Sequence, residues 1–142
     1  MSDTRFQQAV TVIVARDPRY AADSYYFLRD ALECTVKALK KPADGPARHV
    51  TGQELCAGIR DYALQEFGPL ALTVLRTWGL QRTEDFGEMV FNLIETGTFG
   101  KTEQDDRKDF AHGYDFFETF GKPFETAPEA PRAKRASRRR QA

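Results

Sequence analysis

Residues 50–97 read VTGQELCAGIRDYALQEFGPLALTVLRTWGLQRTEDFGEMVFNLIETG, and this stretch decides the fold. It contains three segments of helical periodicity, each with its own stop signal. Thr51 is placed to cap the first, with Glu54 three residues on to return a bond to the cap's N–H. Val50 and Leu55 occupy the two positions of a hydrophobic staple around that cap. Leu55, Ile59, Tyr62 and Ala63 then form an inward stripe. Gly58, on the same face, costs about 1 kcal/mol of helix propensity relative to Ala, which a close helix–helix contact would explain.

Phe67-Gly68-Pro69 predicts a helix stop followed by a helix start, with Gly past the end and Pro just inside the next beginning. The second segment is short and apolar, through Leu70, Ala71, Val74, Leu75 and Trp78, and Gly79 closes it. Thr83 is the expected cap of the third, with Glu84 and Asp85 in the first turn beside the positive end of the helix. Phe86, Met89, Val90, Leu93 and Ile94 form its buried stripe, and Gly97 ends it.

Upstream, two further helices are expected. The first runs from a Thr4 cap to Ala15, with Phe6, Ala9, Val10 and Ile13 at helical spacing. Its β-branched Val12-Ile13-Val14 run fits a strand equally well. Pro18 restrains Asp17 away from helical geometry, so a turn follows. The second helix covers Ala22 to Lys40, with Tyr25, Leu28, Leu32, Thr35, Val36 and Leu39 inward and Lys37 in the last turn. Residues 42–48, PADGPAR, read as a loop.

Downstream of Gly97 two readings stand. Residues 98–110 form a β-hairpin around the polar 103–106 segment, or Thr102 caps a short helix. The aromatic-dense segment from Tyr114 to Phe124 is expected to fold back over the core, since four exposed phenylalanines are unfavourable. The expected fold is therefore a mainly α single domain of about five helices over residues 1–124. With a hairpin after the fifth helix it has the element order of a winged helix. A disordered basic tail is expected over 125–142, where Ala, Pro and Arg dominate.

The chain is 142 residues long, with 41% hydrophobic and 30% charged residues, which fits a globular domain. No apolar run approaches the ~20 residues a membrane-crossing helix requires. The start, MSDTRFQQAV, lacks the basic and apolar regions of a secretory signal, so a cytoplasmic location is expected. Cys34 and Cys56 are both expected to be buried reduced thiols. The formal net charge of zero averages two unlike parts. Arg132, Lys134, Arg135, Arg138, Arg139 and Arg140 leave 15 basic against 21 acidic residues in the remainder, a body of formal charge −6.

The blocks RDPRYAADSYYFLRDAL (16–32), HVTGQEL (49–55), FGPLALTVLRTWGL (67–80), TEDFGEMVFNLIETG (83–97) and KTEQDDRKDF (101–110) carry a resemblance. They resemble an uncharacterised family of short proteins of planctomycete and verrucomicrobial bacteria, over roughly residues 5–120. The resemblance implies an intracellular bacterial protein. It implies no activity, because that family has no assigned catalytic or binding residues, and the tail lies outside it.

No catalytic residue, metal ligand set or cofactor is expected. Gly97–Thr102 (GTFGKT) ends like a phosphate-binding loop, but the required earlier glycine is Glu95 and acids follow at Glu103, Asp105 and Asp106. His49, His112 and the two cysteines lack metal-ligand spacing. Asp105, Asp106, Asp109, Asp115 and Glu118 are dense, without the spacing of a calcium loop, and read as a solvated face.

Helix five, as a recognition helix, would oppose phosphate with Glu84, Asp85, Glu88 and Glu95 and no cation. Those four acids are instead expected to form a protein-contact face. The tail cations are the expected nucleic-acid element, without sequence choice. The function that follows is a non-enzymatic binding or adaptor protein, its acidic body contacting protein and its tail contacting RNA or DNA. The alternative is a small-ligand-binding protein or enzyme with an acidic pocket around residues 105–118.

Overall fold

The computed structural model describes residues 3–41, 50–99 and 107–125. Five α-helices make the body: α1 (Asp3–Arg16), α2 (Ala22–Ala38), α3 (Gly52–Phe67), α4 (Ala71–Thr77) and α5 (Thr83–Glu95). A 3-10 turn over Gly68–Leu70 links α3 to α4, and a second occupies Arg107–Phe110. The described chain ends in a wide turn over Phe117–Gly121 and a last 3-10 turn, Lys122–Phe124.

The β-branched run in α1 is helical because its stripe has a core to enter. Phe6, Val10 and Ile13 are buried, while Val12 stands outward. Thr4 lies inside this helix rather than capping it, since the helix begins at Asp3. The α3 capping box forms as read. Glu54 N donates to Thr51 Oγ1 and Thr51 N to Glu54 Oε1, both at 3.0 Å. Val50 packs against the core and Leu55 is buried within it. α2 ends at Ala38, so Leu39 falls outside the buried stripe.

Helices α2 and α3 pack directly against each other, and Gly58 makes room for it. A β-carbon there would lie 1.8 Å from Thr35 Oγ1. A second close approach joins the loop after α4 to the turn between α1 and α2. Ala21 N donates to Trp78 O at 3.0 Å, and a β-carbon on Gly79 would lie 2.1 Å from Arg19 O. Phe27, Tyr62, Phe67 and Trp78 cluster at the α2–α3–α4 corner with ring centroids 5.4–5.8 Å apart.

The hairpin wing is not what the described residues form. After Gly97 the chain curls back on α5, with Thr98 N and Phe99 N both donating to Leu93 O. Where a second strand was expected, Arg107–Phe110 is a helical turn packed on α5 and α3, with the Phe110 ring against Gly52 and Gly87. Burying Phe110 between two small residues decides the local structure over the strand expected there. No strand occurs among the described residues. The C-terminal segment does fold over the core. Phe116 and Phe120 are buried and Tyr114 packs beside them, yet Phe117 and Phe124 stay exposed.

Candidate functional site

The four acids of α5 expected to form a contact face are mostly engaged within the chain. Asp85 is half-buried. It accepts from Tyr20 Oη at 2.7 Å through Oδ1 and from Gln81 N at 2.8 Å through Oδ2, with Arg82 N at 3.2 Å. Glu88 pairs with Arg19 at 3.3 Å, and Glu84 Oε2 accepts from His112 N at 3.2 Å. Glu95 is the one of the four that is exposed. Asp85 also displaces the expected Thr83 cap, because Arg82 is the capping position and Asp85 returns to its N–H.

Asp85 and Glu88 belong to a polar clamp holding the α1–α2 turn against α5. Arg19 binds Asp17 through two parallel bonds, Nε to Oδ1 at 2.8 Å and an Nη to Oδ2 at 2.7 Å. Asn92 Nδ2 donates to Asp17 Oδ2 at 3.0 Å and reaches Tyr25 Oη at 3.1 Å. The Arg19 guanidinium also lies over the Tyr20 ring, 5.0 Å from its centroid. Hydrogen bonds from Arg19 hold the Asp17 carboxyl well below the carboxylate range, against the opposing effect of partial burial. Burial and the bond to Asp85 push the Tyr20 hydroxyl up, so it stays a donor. Nothing here points a nucleophile or base at open space. The arrangement fixes a turn.

A carboxyl with a depressed folded pKa stabilises the fold fully above its ordinary value of 3.8 and loses that contribution as pH falls through the folded value. Asp17→Asn is therefore expected to cost roughly 1–3 kcal/mol at pH 7. It should also flatten the loss of stability below about pH 4. Urea midpoints at pH 7, 4 and 3 for parent and variant measure both. Parallel pH curves would remove the clamp from the account.

Thr83, buried, works as a seam rather than a cap. Its hydroxyl donates to Phe110 O at 2.6 Å and accepts from Gly113 N at 3.0 Å. Nearby, Tyr114 Oη donates to Cys56 O at 2.8 Å. Burial, with the charge of Glu84, pushes the Cys56 thiol up to about 12. Cys34 departs from expectation and is exposed, since it lies off the Leu28–Ala31–Thr35 stripe of α2. A thiol reagent at pH 8 is expected to label one cysteine per folded chain, Cys34, and both in denaturant. Rapid labelling of Cys56 in the folded chain would contradict its placement.

A cleft of about 660 Å3 lies along α1, lined by Arg5, Gln8, Ala9, Val12 and Arg16 on one side. Glu95, Thr96, Gly97 and Thr98 form the other. It contains none of the acids of the 105–118 region. Of those, Asp109 is half-buried beside Gly52, and Asp115 and Glu118 are exposed. Asp105, Asp106, His49 and the GKT end of the phosphate-loop-like segment lie outside the described residues. Among the described residues no group of three His, Cys, Asp or Glu side chains is placed to hold a metal ion, and no helix is long and apolar enough to cross a membrane.

Sequence reasoning missed a surface at the C-terminal end of the body. Leu70, Phe117 and Phe124 are 64%, 42% and 43% exposed, on adjoining turns. The tail cations Arg132, Lys134, Arg135, Arg138, Arg139 and Arg140 lie outside the described residues, seven to fifteen positions after Glu125. Comparison of the chain with protein-family models, with curated proteins and with solved structures finds no match.

Proposed function

We propose that this chain is a non-enzymatic binding or adaptor protein of the bacterial cytoplasm, its acidic helical body contacting protein and its basic tail contacting RNA or DNA. The observation that carries the reading is the segregation of charge. A body of formal charge −6 is joined to a short segment holding six cations and no acid. Six cations on one strand release counterions from phosphates without reading sequence. Asp17, Tyr20 and Tyr114, among the strongly perturbed side chains of the body, are paired inside the fold and serve its stability. The kinship with the planctomycete and verrucomicrobial family belongs to this proposal and adds no chemistry.

Ending the chain at Ala130 tests the tail. The shortened chain is expected to bind a 20-nucleotide RNA and a 20-base-pair DNA at least tenfold more weakly at 50 mM salt, with its unfolding midpoint unchanged. Equal binding by the two chains, or none by the full chain, removes the nucleic-acid half of the reading.

A further inference from the structure

The cleft between α1 and the end of α5 has two walls of opposite character. On one side Arg5, Gln8, Val12 and Arg16 recur at intervals of three or four residues, which puts them on one face of α1. Arg5 and Arg16 are about three turns, roughly 16 Å, apart along the helix axis, so a guanidinium serves each end of this wall. Val12, 49% exposed, lies between them.

The facing wall offers acceptors. Glu95 is exposed. α5 has no basic residue in its last turn, so the negative end of the helix is uncompensated from within it. The Thr96 hydroxyl donates its one proton to Leu93 O at 3.0 Å. In the 2.9 Å contact between the Thr96 and Thr98 hydroxyls, Thr98 is therefore the donor. Both protons are committed, and the two hydroxyls have only lone pairs left for a ligand. Gly97 adds no obstruction, since a β-carbon there would meet nothing within 4 Å.

This polarity selects the occupant. A polyanion such as nucleic acid suits the arginines but is opposed by Glu95 and the α5 carbonyls. The chain's own 126–142 segment, TAPEAPRAKRASRRRQA, has the reverse mismatch, with six cations and one acid to set against two arginines. An extended peptide of alternating charge satisfies both walls, because its successive side chains point to opposite sides. The volume of about 660 Å3 falls within the range of ligand-binding clefts, roughly 300–1,000 Å3.

We propose that this cleft binds an extended segment of a partner protein, its carboxylates on Arg5 and Arg16 and its cations on Glu95 and the end of α5. Carboxylates four residues apart on such a segment are separated by about 13 Å, and the long arginine arms make up the difference. An apolar side chain between them covers Val12. The inference rests on the reading of the body as a protein-binding unit, and of the four acids assigned to that contact it keeps Glu95.

The test uses the full chain and two labelled pentapeptides of identical composition, Glu-Lys-Leu-Lys-Glu and Lys-Glu-Leu-Glu-Lys, both blocked at their ends. Anisotropy at 50 mM salt is expected to show the first binding at least tenfold more tightly. Arg16→Gln should weaken it several-fold, and Arg16→Glu with Glu95→Lys should abolish or reverse the preference. Glu118→Lys, away from the cleft, should leave it unchanged. Circular dichroism establishes that each variant is folded.

Equal binding of the two peptides, binding of neither, or a preference indifferent to the cleft variants overturns the proposal. So does a tenfold gain on ending the chain at Ala130, which gives the cleft to the tail. Self-association in light scattering that Arg16→Glu abolishes gives it to a second copy and overturns it equally. RNA binding by the same variants separates the two claims. RNA binding without the peptide preference ends this inference and leaves the tail's role standing, and loss of both ends the reading as a whole.

Discussion

Gly79→Ala is expected to lower stability by about 3–4 kcal/mol. Two costs add. The residue has φ +94°, a conformation that costs a side-chain-bearing residue about 1–3 kcal/mol. The new β-carbon would also lie 2.1 Å from the Arg19 carbonyl oxygen, which is backbone and cannot rotate away. Relief requires the α4–α5 loop to lift from the α1–α2 turn, straining the Ala21–Trp78 bond and the Arg19 clamp. Gly97→Ala is the control. It has φ +76° with nothing within 4 Å of the added carbon, so it should cost only the conformational part. Thermal midpoints separate them, with a fall on the order of 10 °C expected for Gly79→Ala. Equal effects at the two positions would show that the close approach is not there.

The second large effect is at Gly58. In a solvent-facing helix, Gly→Ala stabilises by about 1 kcal/mol. Here it is expected to destabilise by about 2–3 kcal/mol, because the methyl overlaps Thr35 at 1.8 Å across the α2–α3 contact. Thr35 is buried, and its hydroxyl donates to Ala31 O at 2.7 Å, so rotating it away sacrifices that bond. The sign is diagnostic, and so is the pair. Thr35→Ala added to Gly58→Ala should recover part of the loss, a coupling that distant sites lack. Chemical denaturation of the two single variants and the double variant measures it. A stabilising Gly58→Ala would mean that α2 and α3 do not pack as described.

What could be read from the sequence was what is decided within a few residues. The Thr51–Glu54 box, the Gly68 and Gly97 stops and the α5 stripe depend on spacings of three to seven, and all are present. Gly58 was legible as an anomaly, though not its partner Thr35, 23 positions away. The errors share a cause. Thr83 looks like a cap locally, but Phe110 and Gly113, 27 and 30 positions on, claim its hydroxyl. Two acids of the expected α5 contact face, Asp85 and Glu88, are met by Tyr20 and Arg19 from 65 and 69 positions away. The hairpin followed from two short segments flanking the polar 103–106 stretch, and the small residues that receive Phe110 cannot be seen from within 98–110. Cys34 is different. Its helical phase relative to Ala31 and Thr35 already places it off the buried stripe.

Under the proposed function, nucleic acid is held by the tail cations alone. The salt dependence of binding tests this directly. Each phosphate neutralised on a single strand contributes about −0.7 to the slope of log K against log salt, so six cations predict a slope near −4 for the full chain on a 20-nucleotide RNA. Between 50 and 200 mM salt the affinity should therefore fall a few hundredfold. A slope near zero, or no RNA binding at 50 mM, contradicts the account.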